Sequence, residues 1–359
     1  MDNMEGRIAK VFDKSGLDAI ILMNTDTKDS NLIYITELDG VFEQSILIAR
    51  RNGAEFLTSK LEYATAEAQK QRFLKVREVS SGKQIRQILK KLKGKTIGVN
   101  YGFLPYYYYK VIKKHTGARQ ILDASGALSK ARMVKYKDEI SKIAIANRIA
   151  KKAFEGISEH LKEGITEQRL AAIFDNSMRL NGADEPSFRT IVAFGKNTAL
   201  PHHFPGNTRL KANSFVIIDA GAKYKNYCSD LTRTYIFKPD KRSSKYQRML
   251  GIYNTVKDAQ SLALKAIKPG IECSKIHEIA ANHIDTASNG AYKGRFTHAL
   301  GHSIGIDVHD PGFYISPGCK TRLRQGMVFS NEPGIYVEGF GGVRLEEDVV
   351  VTKSGAKVL

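Results

Sequence analysis

Apolar and polar positions follow two regimes along the chain. In the first third, short apolar runs bounded by polar residues or glycine predict strands at Gly16–Asn24 (GLDAIILMN), Ser30–Thr36 (SNLIYIT), Ser45–Ile48 and Thr96–Val99. A basic stretch with helical character, Lys83–Lys93, precedes the last of them. Strands alternating with helices predict a small α/β domain over residues 1–125. The small-residue stretch Ala124–Lys130 (ASGALSK) reads as a linker, which assigns residues 126–359 to a second domain. There the period changes. Asp138–Leu161 has apolar residues at helical spacing, acids at its start and a stop at Gly164, and Glu167–Leu180 forms a second helix before Asn181-Gly182. Strands and glycine-rich turns follow at Arg189–Phe194, Phe215–Gly221 and Tyr227–Phe237. Helices are predicted at Ser244–Ile267 and Cys273–Ser288, and strands return over Met327–Val351. The second part therefore reads as α+β, with helices grouped around a largely antiparallel sheet.

Composition narrows the class. With 359 residues and 42% apolar content the chain can bury two cores. Its longest apolar stretches, such as Leu17–Met23 and Phe215–Ile218, are far shorter than the roughly 18 residues of a membrane span, so no membrane role is expected. Met1–Lys14 mixes acids and bases and lacks the apolar core of a secretory leader. Cys228, Cys273 and Cys319 are too scattered for a disulfide framework or a zinc ribbon, and a reducing cytoplasm is the expected location. The net charge is +19, and residues 60–119 hold 15 Lys and Arg against three acids. No nucleic-acid motif accompanies that charge. It reads as a solvated helical face, and nucleic acid is not an expected partner. The tyrosine run Tyr106–Tyr109 reads as a packed or interfacial aromatic cluster.

The informative anomaly is acids and histidines inside apolar strand patterns. In Phe215–Thr234 (FVIIDAGAKYKNYCSDLTRT), Asp219 ends an apolar run and Asp230 follows 11 residues later. A hairpin turn in Tyr224–Asn226 with an even loop puts both carboxylates on one face. A loop centred between Tyr224 and Lys225 sets them directly opposite, and one centred between Lys225 and Asn226 sets them diagonally; either way they lie within about 5–8 Å. Two carboxylates that close repel unless they share a proton or a cation. In Thr297–Gly312 (THALGHSIGIDVHDPG), His302 and His309 are candidates for a metal ligand and a proton shuttle, and the interleaved glycines suggest close approach to a ligand. Glu332 stands in FSNEPG. In a strand from Val343, alternation sets Arg344, Glu346 and Asp348 on one face and sends Glu347 to the other. Two Asp, one His and two Glu suit Mn²⁺, Co²⁺, Fe²⁺ or Zn²⁺, and enough acids are present to bridge two ions about 3.5–4 Å apart.

The order Asp219, Asp230, His302, Glu332, Glu346 resembles the pita-bread metallopeptidases, within them the proline-specific branch of Xaa-Pro aminopeptidase (aminopeptidase P) and Xaa-Pro dipeptidase (prolidase). The matching strings are IVAFGKNTALPHH (Ile191–His203), the Asp219–Asp230 and His302–His309 segments above, GMVFSNEPGIY (Gly326–Tyr336) and GVRLEED (Gly342–Asp348). They cover the chain from about Met133 to its end. The first part fits the creatinase-type α/β domain that precedes the catalytic domain in such enzymes. The resemblance implies a dinuclear exopeptidase with two divalent ions, Mn²⁺ first among them. Asp219 would hold one ion, His302 and Glu332 the other, and Asp230 and Glu346 would bridge. Glu332 would take the proton of the attacking water, while His202 and His309 would orient substrate. His298 and Arg344 are expected on the substrate side, and Thr232 and Tyr235 as packing. Peptides with proline in second position are the implied substrates, and a homodimer the implied assembly. Prolidases often carry an arginine shortly after the second histidine to hold the dipeptide carboxylate. Here His309 is followed by Asp310-Pro311-Gly312-Phe313, which favours the aminopeptidase over the dipeptidase.

Overall fold

The computed structural model describes residues 3–25 and 27–359. The chain divides into two compact units, Met1–Arg132 and Met133–Leu359.

The first unit is built on a six-stranded mixed sheet: β1 (Ala19–Met23), β2 (Ile46–Arg50), β3 (Gly53–Thr58), β4 (Leu74–Glu78), β5 (Thr96–Val99) and β6 (Gln120–Asp123), in the order β4-β3-β2-β1-β5-β6. The β1–β2 and β2–β3 pairs are antiparallel and the others parallel, with helices in the crossovers. β1 is buried along its whole length because it lies inside the sheet.

Two expectations fail here. Ser30–Thr36 is a helix, not a strand. All but its first residue are buried, so its apolar run carries no exposed face to reveal the period. The deciding local signal is Asp29, whose carboxylate caps the helix by accepting from the Asn31 N–H. The supposed linker Ala124–Lys130 lies largely in the helix Ser125–Met133, which buries Leu128 and Ala131. Small residues there allow close packing rather than mobility.

In the second unit every strand pair is antiparallel, but the strands form several small sheets rather than one. β7 (Glu185–Pro186), β8 (Ile191–Phe194), β9 (Ser214–Ala220), β10 (Ala222–Tyr224), β11 (Tyr227–Cys228) and β12 (Leu231–Phe237) make the sheets β11-β10-β7 and β12-β9-β8. β13 (Gly301–His302) pairs with β14 (Tyr314–Ile315). β15 (Val328–Asn331), β18 (Glu347–Val351) and β19 (Ala356–Val358) form a third sheet, and β16 (Gly334–Val337) pairs with β17 (Gly341–Arg344). Four helices, Lys137–Gly156, Glu167–Leu180, Ser244–Ala266 and Cys273–Thr286, supply the apolar faces of two clusters. One gathers Ile252, Val256, Ile276 and Ile284 with Phe329, Val343 and Val349. The other gathers Phe154, Leu170 and Phe174 with Val192, Val216, Ile218 and Leu231. The site lies where the strands of both clusters converge.

Candidate metal centre

The carboxylates are placed by strand register. Lys225 and Asn226 both have positive φ (46° and 68°), a two-residue turn that pairs Tyr224 with Tyr227. The loop is thus centred between Lys225 and Asn226. Carried along the hairpin, that register sets Asp219 opposite Thr232, leaving Asp230 diagonal to it. Gly221 is obligatory in this crossing, since a Cβ there would lie 1.8 Å from the Ser229 carbonyl oxygen. Glu346 sits in the step between two sheets: β17 ends at Arg344 and β18 begins at Glu347, while the Glu346 N–H bonds the Thr232 carbonyl. Glu347 points away to Arg233 and Lys151, as alternation required.

Asp219, Asp230, His302, Glu332 and Glu346 converge on one cavity of about 330 Å³, which His202, His298, His309 and Arg344 also line. His302 Nε2 lies 3.5 Å from Asp230 Oδ2 and 3.3 Å from Glu332 Oε1. Ligand atoms of Asp230, His302 and Glu346 all fall within 4.8 Å of one another. Burial sets the electrostatics. It raises the Asp230 and Glu346 carboxyls well above the ordinary range, with the like charges of Glu346 and Glu332 respectively adding most to this. Burial also pushes Glu332 up to about 8, against the opposing pull of Arg344, and pushes His302 down to about 3. Asp219 Oδ1, Asp230 Oδ1 and Glu346 Oε1 are buried with no hydrogen-bond partner. Buried acceptors without donors, beside an imidazole held neutral, fit a divalent cation.

Around these five lies a frame that sequence reasoning largely missed. Thr232, expected as packing, donates to Glu346 Oε2 at 2.7 Å and accepts from Arg344 Nε at 3.1 Å. Its position opposite Asp219 was the available signal. Arg344 also reaches Asp219 Oδ2 (2.5 Å) and the Tyr336 hydroxyl (2.9 Å). Because a guanidinium can only donate, the hydroxyl passes its hydrogen to His298 Nε2 (2.9 Å), and His298 Nδ1–H donates to the Ala299 carbonyl (2.7 Å). This holds His298 neutral, consistent with burial lowering it to about 4. Asp348, the third residue of the Arg344 face, accepts from the Asp230 N–H (3.0 Å) and from Asn147 (2.8 Å). Ser330 donates to Glu332 Oε1 (3.1 Å) and accepts from the His302 N–H (3.1 Å).

The histidine neighbours separate cleanly. His203 bonds the buried Glu167 (2.9 Å) and fixes its loop, while the adjacent His202 is exposed toward the cavity. The His309 ring is 3.9 Å from that of His302 and is exposed. The interleaved glycines do not mark approach to a ligand. A Cβ at Gly301 would lie 1.8 Å from the Ser330 carbonyl oxygen, and one at Gly305 2.5 Å from the Asp310 carboxyl carbon, so the protein itself comes close.

That Asp310 carboxylate is buried against Lys135 Nζ (3.2 Å), which also donates to Ser303 Oγ (2.9 Å). Lys135 thereby ties down both ends of the segment that carries His302 and His309. Lys135→Met removes this cation from a buried acid and is expected to cost about 3–5 kcal/mol of unfolding free energy, read by urea denaturation. A loss below about 1 kcal/mol contradicts that role.

With the geometry in place, relatives can be compared. The profile of metallopeptidase family M24 matches residues 141–353, and that of the creatinase/prolidase N-terminal domain matches residues 6–134. The chain belongs to metallopeptidase family M24. M24 enzymes use divalent metals, in keeping with the donor set here. The Xaa-Pro dipeptidase of Pyrococcus horikoshii is 34% identical, covering 100% of this chain and 98% of that protein. The solved Xaa-Pro dipeptidase from Bacillus anthracis superposes with a TM-score of 0.88 at 30% identity, covering 99% of this chain and 96% of that one. The solved X-Pro aminopeptidase from Thermotoga maritima gives 0.87 at 31% identity, covering 97% of each. The M24 chain therefore has the pita-bread catalytic fold behind a creatinase-type domain. Dipeptidase relatives outweigh the aminopeptidase reading that the missing arginine favoured. Among the described residues, no helix is long and apolar enough to cross a membrane.

Proposed function

We propose that this M24 peptidase hydrolyses the Xaa-Pro bond of dipeptides. The observation that carries the hydrolytic reading is the convergence of four carboxylates and one neutral imidazole with three orphaned buried oxygens. The dipeptide preference is supported by the dipeptidase relatives. In this reading Asp219, Asp230, His302, Glu332 and Glu346 hold two divalent ions, with Mn²⁺ the first candidate. Bound there, the ions would acidify a water and polarise the scissile carbonyl. Glu332 takes the proton of the attacking water and returns it to the proline nitrogen as that leaves. His202 and His309 orient the substrate and donate to the oxygen that gains charge. Arg344 acts through Asp219, Thr232 and Tyr336, and His298 fixes Tyr336 from the other side. The assembly is a homodimer, as the family resemblance implies, and the location cytoplasmic, in keeping with three free cysteines.

Cleavage of longer peptides is the second reading, favoured by one observation. Phe313, in the stretch after His309 where a clamping arginine is often found, is buried against Phe329. Incubating the Mn²⁺-loaded protein with an Xaa-Pro dipeptide and an Xaa-Pro-Yaa tripeptide separates the two. Faster release of Xaa from the dipeptide is expected, and release from the tripeptide alone would install the aminopeptidase reading. His309→Ala is expected to lower kcat by about two orders of magnitude with metal content unchanged. Loss of metal in elemental analysis would instead make His309 a ligand.

A further inference from the structure

One face of the N-terminal sheet changes character along its strands. Ile46 and Ile48 of β2 and Leu57 of β3 are buried beneath Ile88, Leu89 and Leu92. Toward the β2–β3 hairpin the same face carries Arg50, Gly53 and Glu55, and the edge strand β4 adds Lys75 and Arg77 in register with Glu55 and Leu57. Here the helical cover ends, and an open concavity of about 500 Å³ is lined by Arg50, Arg72, Lys75, Arg77 and Lys91, with Glu55 as its acid. Glu55 is taken by Arg77 Nε at 2.6 Å. Among the described residues, Arg50, Arg72, Lys75 and Lys91 make no ion pair. Gly53, with φ +139°, lets β3 lie against the Phe73 backbone; a Cβ there would come 2.8 Å from the Phe73 carbonyl oxygen. That contact holds the turn that carries Arg72 and leads into β4 with Lys75.

Of these five cations Arg77 is paired with Glu55; the other four repel one another, and one polyvalent anion relieves them together. Three of the five are arginines, whose forked donors match phosphate oxygens two at a time. The volume suits a small ligand. Phe73 is the one aromatic side chain lining the concavity, so it offers no stacking platform for a run of bases. We propose that this concavity is a binding site for a compact polyphosphate, either free condensed phosphate or the phosphate tail of a nucleotide.

Calorimetric titration of the metal-loaded full chain with sodium tripolyphosphate tests this. Beside the heat of chelating the bound ions, one further saturable site per chain is expected. Arg72→Gln with Lys75→Gln should weaken it about tenfold or more, the loss of two charge-assisted contacts. Lys113→Gln with Lys114→Gln removes the same charge from the helix Tyr106–Thr116 and should leave the affinity unchanged. Chelation of the bound metal is common to all three proteins and cancels in the comparison. Xaa-Pro hydrolysis, assayed without phosphate, should be equal in all three. ATP displacing tripolyphosphate would assign the site to nucleotides, and failure to do so to free condensed phosphate. No saturable binding beyond that chelation, or equal weakening in both double variants, overturns the proposal. So does tight binding of a single-stranded oligonucleotide that tripolyphosphate does not displace.

Discussion

Glu346→Gln is expected to abolish peptide hydrolysis, by about three orders of magnitude or more, while making the metal-free protein more resistant to heat. The two effects share one cause. Glu346 is buried with an orphaned oxygen, and Glu332 and Asp219 both disfavour its charge. With a cation bound, that charge is the attraction that holds it. Without one, it is a like-charge penalty carried by the fold. Glutamine keeps the acceptor for Thr232 and removes the charge. Melting curves should show the variant above the parent in excess chelator and below it in excess Mn²⁺. Asp230→Asn should behave alike, since Asp219 and Glu332 disfavour its charge too, together with Glu346 and Asp348. A variant that melts lower than the parent in chelator would mean that Glu346 is structural.

Metal removal should also give the protein a distinctive pH dependence. Burial raises Glu332 from 4.5 to about 8 and Asp348 from 3.8 to about 7. A group whose folded value lies above its unfolded value contributes stability that is fully present below the unfolded value. That stability is lost as pH rises through the folded value. Below about pH 6.5 buried His298 and His302, lowered to about 4 and 3, act with the opposite sign and offset the acids, so the metal-free protein should lose stability from about pH 6.5 to pH 8, at up to about 1.4 kcal/mol per pH unit for each raised acid. A Tm several degrees higher at pH 6.5 than at pH 8 is expected in chelator. Metal reverses the trend, because its affinity rises as the ligands deprotonate. The general charge repulsion of a +19 chain works the other way, destabilising it at low pH. Glu346→Gln separates the contributions, since its chelated form should show a flatter slope. A chelated parent most stable at pH 8 would contradict this picture of the cluster.

How legible all this was in the sequence depended on whether one local rule settled the matter. Hairpin parity placed Asp219 and Asp230 on one face because side chains alternate strictly, and the structure selected the diagonal arrangement through Lys225 and Asn226. The same alternation dismissed Glu347. Ser30–Thr36 was misread because uniform burial erases the period that distinguishes helix from strand. Thr232, Tyr336, Asp348 and Lys135 were missed as supports for a different reason. Most of their partners lie far away in sequence, as Lys135 and Asp310 or Asp348 and Asp230 do, and single polar residues within apolar runs do not announce what they hold. Glycines at 301 and 305 misled because close approach by a backbone or a carboxylate looks, in sequence, the same as close approach by a ligand.

We propose above that these five side chains form a metal site that cleaves Xaa-Pro bonds. The most direct test strips the protein with chelator, returns Mn²⁺ in steps, and follows bound metal and proline release from an Xaa-Pro dipeptide on the same samples. The stripped protein should release no proline, and activity should rise with occupancy to a plateau at two ions per chain. Full activity in the stripped protein, or two bound ions with no proline released, would contradict it.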